Sequence, residues 1–293
     1  MKILVAGNNK GGVGKTFISS QVAEYAAKFL NKRVLLIDFD PQCNLSQRYL
    51  DMDIDPHNEE GVIPPIHPDY DPATDGNEGR SSVADIFYGE HPSIWPYPTY
   101  IKNLDIVPAS GKKLLAAEAV RQAEVVEKVY DRFKKILTSP AVQESYDLVV
   151  IDTAPSKGPL TLSAIRVATD LLIPTLMEDK PLQGTYGMAS VWLQESTRTT
   201  REYPLKLVGI LVNLFDNRTV LHNDLYEGLR TSSELGKHVI PFKINRRIIY
   251  AENDQKGSNP RSIFDLNDSN KIARDECKQV CEYITKRIFN DEQ

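Results

Sequence analysis

The chain is short of cysteine, of long apolar runs and of positive charge, and each shortage removes a class of protein. Three cysteines in 293 residues, Cys43, Cys277 and Cys281, make no disulfide framework and suit a reducing compartment. Cys277 and Cys281 stand four apart on an expected helix, a spacing that reads as two core thiols rather than a metal site. No stretch reaches the roughly 18–20 apolar residues of a membrane span. A glycine-rich segment follows so soon after Met1 that no signal peptide is expected. These readings point to a cytoplasmic chain with no membrane partner.

The net charge of −5 argues at first against a nucleic-acid partner. Its distribution changes that. Residues 51–90 hold eleven Asp and Glu against a single basic residue, Arg80, so the segment is −10 and the remainder +5. Residues 237–274 carry eight Lys and Arg against four Asp and Glu. A local basic face is compatible with an acidic whole.

Short apolar runs alternate with helical patterns. The runs Lys2–Ala6, Val34–Asp38, Leu104–Pro108, Leu148–Asp152, Leu171–Pro174, Leu207–Asn213 and Val239–Pro241 are mostly apolar throughout, as strands are when helices cover both faces of a parallel sheet. Helical periodicity runs over Thr16–Leu30, Lys112–Leu137, Pro159–Ala168, Leu182–Thr199, Thr219–Leu235 and Asn267–Phe289. The alternation predicts an α/β fold: a doubly wound, mostly parallel sheet with helices on both faces, in one domain over 1–293. Residues 51–100 are the exception, with eight of the eighteen prolines. They read as a long acidic surface loop, an insertion at about 51–80, closed by a short helix near Ser82–Tyr88.

The chemistry is carried by "NKGGVGKTF", residues 9–17. Gly11, Gly12, Val13 and Gly14 follow a strand and open a helix, the context in which backbone N–H groups converge on a phosphate. Lys15 is placed for the β and γ phosphates and Thr16 for Mg²⁺. Asn9 stands where such a loop has its first glycine, and a second lysine, Lys10, sits at its mouth. Two further strands deliver carboxylates to their C-terminal ends: "VLLIDFD" brings Asp38 and Asp40, and "LVVID" brings Asp152. If the first strand continues, Asp38 and Asp40 point the same way. One would support the Mg²⁺ shell and the other orient water at the γ-phosphate.

"KGGVGKT", "LLIDFDPQ" and "YDLVVIDTAPS" together resemble the ParA/MinD family of deviant Walker-A ATPases, and its ParA branch most closely. "NLDIVPAS", "LVNLFDNRT" and "PFKINRRIIYAENDQKGSNPRSIFD" extend the resemblance nearly end to end. The resemblance implies a P-loop ATPase with ATP and Mg²⁺ as cofactors, and Lys10 reaching across a homodimer to the partner's nucleotide. It implies that Asp40 positions the attacking water, that Thr16 binds Mg²⁺ directly, and that Asp38 and Asp152 serve the metal's environment. Asn213 matches an adenine-contacting Asn, and Pro241 and Phe242 match the loop that covers the base. Phe17 stands where the family has a second Thr, leaving only its backbone N–H for the α-phosphate. Cys43, Ala154 and Lys157 depart from the family pattern as well.

Many relatives grip double-stranded DNA without sequence preference and release it when a ParB-type centromere-binding partner stimulates hydrolysis, which implies a nucleoid-associated protein. The basic residues for such a grip are Arg218, Lys243, Arg246, Arg247, Lys256, Arg261, Lys271 and Arg274. Positioning of a protein cargo on the nucleoid is the alternative. A MinD-type membrane ATPase would need a basic amphipathic C-terminal helix, and this chain ends KRIFNDEQ.

Overall fold

In the computed structural model all residues are described except 57, 74–77, 89–93, 120–122, 202, 256 and 291–293. The strands are β1 (Lys2–Ala6), β2 (Val34–Phe39), β3 (Asp53–Asp55), β4 (Asn58–Ile63), β5 (Tyr97–Pro98), β6 (Leu104–Val107), β7 (Leu148–Thr153), β8 (Asp170–Thr175), β9 (Lys206–Phe215) and β10 (Val239–Asn245), all but β3, β4 and β5 formed from the apolar runs. The helices are α1 (Lys15–Phe29), α2 (Asn44–Tyr49), α3 (Gly111–Glu118), α4 (Ala123–Leu137), α5 (Pro140–Ser145), α6 (Pro159–Val167), α7 (Asp179–Ser196), α8 (Val220–Thr231), α9 (Ile248–Asn253) and α10 (Lys271–Phe289).

Eight strands form one sheet in the order β10-β9-β8-β1-β7-β2-β6-β5. Every pairing in it is parallel except β5 against β6. β2, β7 and β8 are buried along their whole length, the reason their sequences show no alternation. On one face, Ile18, Val22 and Ala26 of α1 pack with Cys277, Val280 and Ile284 of α10; on the other, Phe133 of α4, Leu160 of α6 and Met188 of α7 close over the sheet. Each fully buried Leu, Ile or Phe side chain contributes about 1.5–3 kcal/mol relative to exposure. The two helical cysteines lie inside this core with free thiols.

The expected loop over 51–100 is more ordered than its composition suggests. β3 and β4 pair as an antiparallel hairpin, and β5 adds an antiparallel edge to the main sheet. Tyr97, 1 % exposed, anchors the excursion: its hydroxyl donates to the Pro65 carbonyl at 2.9 Å and accepts the Ser81 amide at 3.0 Å. The predicted short helix is a 3₁₀ turn over Val83–Phe87, opened by the Ser82 amide donating to the Asp85 carboxylate at 2.7 Å. The single helix expected over Lys112–Leu137 is two described helices, α3 and α4. Pro241 and Phe242 need a correction: the strand expected to end at Pro241 runs on to Asn245, so both lie within β10 and Phe242 is not in a loop. Register shifts between β10 and β9 at Val239/Lys243 accommodate the proline, which has no amide to give.

Candidate nucleotide site

The site is built at the C-terminal end of β1, where the sheet's neighbours on either side are β7 and β8. Open α/β sheets bind ligands at that end. The loop from Gly7 to Gly14 is held from beneath. The Asn8 amide donates to the Pro174 carbonyl at 2.8 Å, and its oxygen accepts the Lys10 N–H at 3.0 Å. Gly12 and Gly14 adopt left-handed φ values of 73° and 83°, which only glycine takes without strain. Gly14 is constrained by space as well, since a Cβ there would lie 2.0 Å from Asn213 Nδ2. That amide reaches over from β9 to donate to the Val13 carbonyl at 3.0 Å.

α1 begins on Gly14 with no side-chain cap and no acidic residue in its first turn. Its first amides and the positive end of its dipole are therefore open to an anion. Lys15, the first helical residue, is only 6 % exposed, and its ammonium donates to the Lys10 carbonyl at 3.2 Å. Burial lowers its pKa, partly offset by the charges of Asp152 and Asp40. Lys10 is half-buried at the rim, and its ammonium makes no ion pair among the described residues. One lysine is drawn into the loop and the other is left at its edge.

The three carboxylates take different environments. Asp38 and Asp152 face each other in register across β2 and β7, and both are fully buried. Asp152 accepts from Thr16 Oγ1 at 2.6 Å and from Ser19 at 3.5 Å. Burial, with the like charge of Asp38, pushes its pKa up to about 8. Asp38 accepts from Ser46, both hydroxyl (2.6 Å) and amide (2.8 Å), and from the Asp40 amide at 3.1 Å. Burial still raises it to about 6. The strand ends at Phe39, so Asp40 begins a turn, and its carboxylate accepts the Gln42 N–H at 2.9 Å. The expectation that Asp38 and Asp40 share a direction rested on a longer strand.

This donor set fits Mg²⁺. Among the described residues no three His, Cys, Asp or Glu side chains are grouped to hold a metal by themselves. Magnesium takes one or two protein oxygens and completes its shell with water and phosphate. The Thr16 hydroxyl with the Asp152 carboxyl group beside it, at an anion-ready helix start, is such a partial shell. Asp38, with both oxygens engaged, is placed to hold the turn at Asp40 and Ser46.

Sequence reasoning missed several supports. Asn8, Ser19 and Ser46 show no motif of their own. Phe17 packs on Tyr250 of α9, ring centroids 5.2 Å apart. The Tyr250 hydroxyl donates to the Ala273 carbonyl at 2.9 Å and bonds Glu276 at 3.0 Å. Glu276 also accepts from the Asn245 amide and from Arg247. These residues meet only through tertiary folding.

The expected basic residues divide. Arg218 pairs with Asp216 at 3.0 Å, Arg247 with Glu276 at 3.2 Å, and Arg274 with Asp268 at 3.2 Å. Lys243 lies 3.6 Å from the Phe215 ring centroid, and Arg261 lies 4.2 Å from that of Tyr100. Arg246 and Lys271 are exposed and make no ion pair among the described residues. Lys256 lies outside the described residues.

Comparison with known proteins places this geometry among relatives. Residues 1–200 match the family model described as AAA domain. The chain is 31 % identical over 245 residues to the chromosome-partitioning ATPase Soj of Thermus thermophilus, covering 84 % of this chain and 81 % of that one. It is 26 % identical over 268 residues to the chromosome partitioning protein ParA of Caulobacter vibrioides, with coverage of 91 % and 88 %. A solved structure of cobyrinic acid a,c-diamide synthase from Mycobacterium smegmatis, with bound ATP analogue and magnesium, superposes with a TM-score of 0.65 at 22 % identity, covering 98 % of this chain and 95 % of the other.

Proposed function

The chain belongs to the ParA family within the ParA/MinD superfamily of P-loop ATPases, and from that premise we propose that it is a DNA-partition ATPase whose ATP-bound form is a dimer. ATP and Mg²⁺ are its cofactors. The amides of Gly11 to Phe17 would receive the phosphates, Lys15 would neutralise the β and γ groups, and Asn213 would stand beside the adenine. Thr16 and Asp152 would hold the magnesium, which would supply charge shielding at the phosphates. Asp40 orients the attacking water.

The observation that carries this reading is the unequal burial of the two lysines. Lys15 is sequestered in its own loop, whereas Lys10 stands at the rim with its ammonium unpaired among the described residues. A cation so placed serves a triphosphate best when a second subunit docks opposite, supplying charge in trans as an arginine finger does. The dimer then doubles a modest basic surface into a salt-sensitive grip on duplex DNA. A ParB-type partner on the cargo stimulates an otherwise slow hydrolysis and releases the grip. Among the described residues no helix is long and apolar enough to cross a membrane, and the apolar stripe of α10 is spent on the core.

Sedimentation velocity of Lys10→Ala with ATP and Mg²⁺ tests the proposal. The variant should bind ATP yet remain monomeric under conditions that dimerise the parent chain. A Lys10→Ala protein that dimerises normally removes the cross-subunit role, and a parent chain that stays monomeric removes the whole reading.

A further inference from the structure

A cavity of about 540 Å³ opens far from the phosphate loop, between the last turn of α1, the turn at residues 100–103 and the segment 259–265. Its volume lies inside the range of about 300–1,000 Å³ typical of small-molecule sites. α1 begins at the phosphate loop and ends here; at 1.5 Å per residue its 15 residues separate the two places by about 22 Å.

The lining is basic on an acidic protein, with Lys28, Lys102 and Arg261 against one carboxylate, Asp265. That carboxylate is spent on Lys28, whose ammonium lies 2.6 Å from it. Lys102 is exposed and makes no ion pair among the described residues. Arg261 is exposed and makes no ion pair among the described residues; its Nη2 donates to the Arg48 carbonyl at 2.9 Å, and the guanidinium rests 4.2 Å from the Tyr100 ring centroid. Tyr100 is stacked in turn on Tyr49 at 5.5 Å. Two uncompensated cations, one of them held by its surroundings, make a preorganised anion subsite.

The last turn of α1 lines the same cavity, and a helix end carries acceptor carbonyls. Beside it the Asn103 amide donates to Asn31 Oδ1 at 2.9 Å, which leaves the second N–H of that amide and the Asn103 oxygen for a ligand. A ligand matching this lining carries both an anion and a donor-bearing heterocycle.

We propose that this cavity is a second ligand site, for a nucleoside monophosphate, with Lys102 and Arg261 meeting the phosphate and the end of α1 meeting the base. The site is separate from the ATP loop and is read most cleanly when that loop is disabled. Equilibrium dialysis of the full chain carrying Lys15→Ala, with AMP and GMP as probes, should show saturable binding of at least one. Adding Lys102→Glu should weaken it at least tenfold, since a lost charge-assisted contact is worth about 1.5–3 kcal/mol. Arg261→Gln should act likewise; Lys102→Glu, at an exposed position, remains informative if Arg261→Gln folds poorly. Absence of saturable binding by both nucleotides at millimolar concentration overturns the proposal. So does binding that survives Lys102→Glu unchanged, or inorganic phosphate binding as tightly as the nucleotides.

Discussion

Asn213 and Val13 are 200 residues apart, yet the side-chain amide of one donates to the backbone carbonyl of the other at 3.0 Å. The bond ties the end of β9 to the phosphate loop, and Asn213 Nδ2 occupies the space that a Cβ on Gly14 would need. Asn213→Ala leaves a buried carbonyl unpaired, at about 1–3 kcal/mol. We expect ATP affinity in calorimetry to fall by roughly tenfold with the fold retained. Gly14→Ala meets both the clash and a left-handed φ, and should bind no nucleotide.

Lys15→Ala should abolish ATP binding, because no other ammonium is drawn into the loop among the described residues. Asp40→Ala is predicted to separate binding from turnover. Among the described residues its carboxylate accepts only a local amide, Gln42 N–H, so its loss leaves the loop standing. ATP binding and ATP-driven dimers should persist while single-turnover hydrolysis slows by roughly 10²-fold or more. Unchanged hydrolysis would take Asp40 out of the reaction.

The facing carboxylates Asp38 and Asp152 give the nucleotide-free protein a pH dependence of definite sign. Burial raises both, to about 6 and about 8, so the folded chain holds protons that the unfolded chain releases near pH 4. Stability from these groups is fully present below about pH 4 and is lost as pH rises through their folded-state values. The melting temperature should therefore decline between about pH 5 and pH 8, by several degrees. Asp152→Asn, which keeps a neutral side chain at every pH, should flatten the decline. A slope identical in that variant would assign it to other groups.

Neighbouring arginines should behave differently on DNA. Arg246 is exposed without an ion pair among the described residues, whereas Arg247 is bound to Glu276, which also holds Tyr250 and Asn245. Arg246→Glu should weaken retention on duplex DNA and shrink its salt dependence, with melting unchanged. Arg247→Glu should lower the melting temperature, because it sets two carboxylates together over the ring that supports Phe17. Equal DNA loss with equal stability in both would contradict this division.

Much of the frame was legible in the linear chain because it depends on short-range pattern. Unbroken apolar runs identify strands covered on both faces, as at Leu148–Thr153. A glycine-rich turn between such a strand and a helix is the context that a phosphate-binding loop requires. The ends of β2 and β10 were less legible: β2 runs one residue past Asp38 and stops short of Asp40, and β10 continues beyond Pro241 to Asn245. The composition of 51–100 concealed a hairpin and an edge strand, because their anchor, Tyr97, acts through contacts with Pro65 and Ser81.

The sequence by itself determined which groups reach the C-terminal edge of the sheet: Lys10, Lys15, Thr16, Asp38, Asp152 and Asn213 each sit near the end of an apolar strand or at the loop that follows one. Tertiary structure alone decided how those groups are spent. It paired Thr16 with Asp152 and Ser46 with Asp38, buried Lys15 while leaving Lys10 at the rim, and neutralised Arg218, Arg247 and Arg274 with nearby carboxylates. Periodicity specifies which side of an element a residue occupies; what it meets there depends on elements brought together from distant parts of the chain.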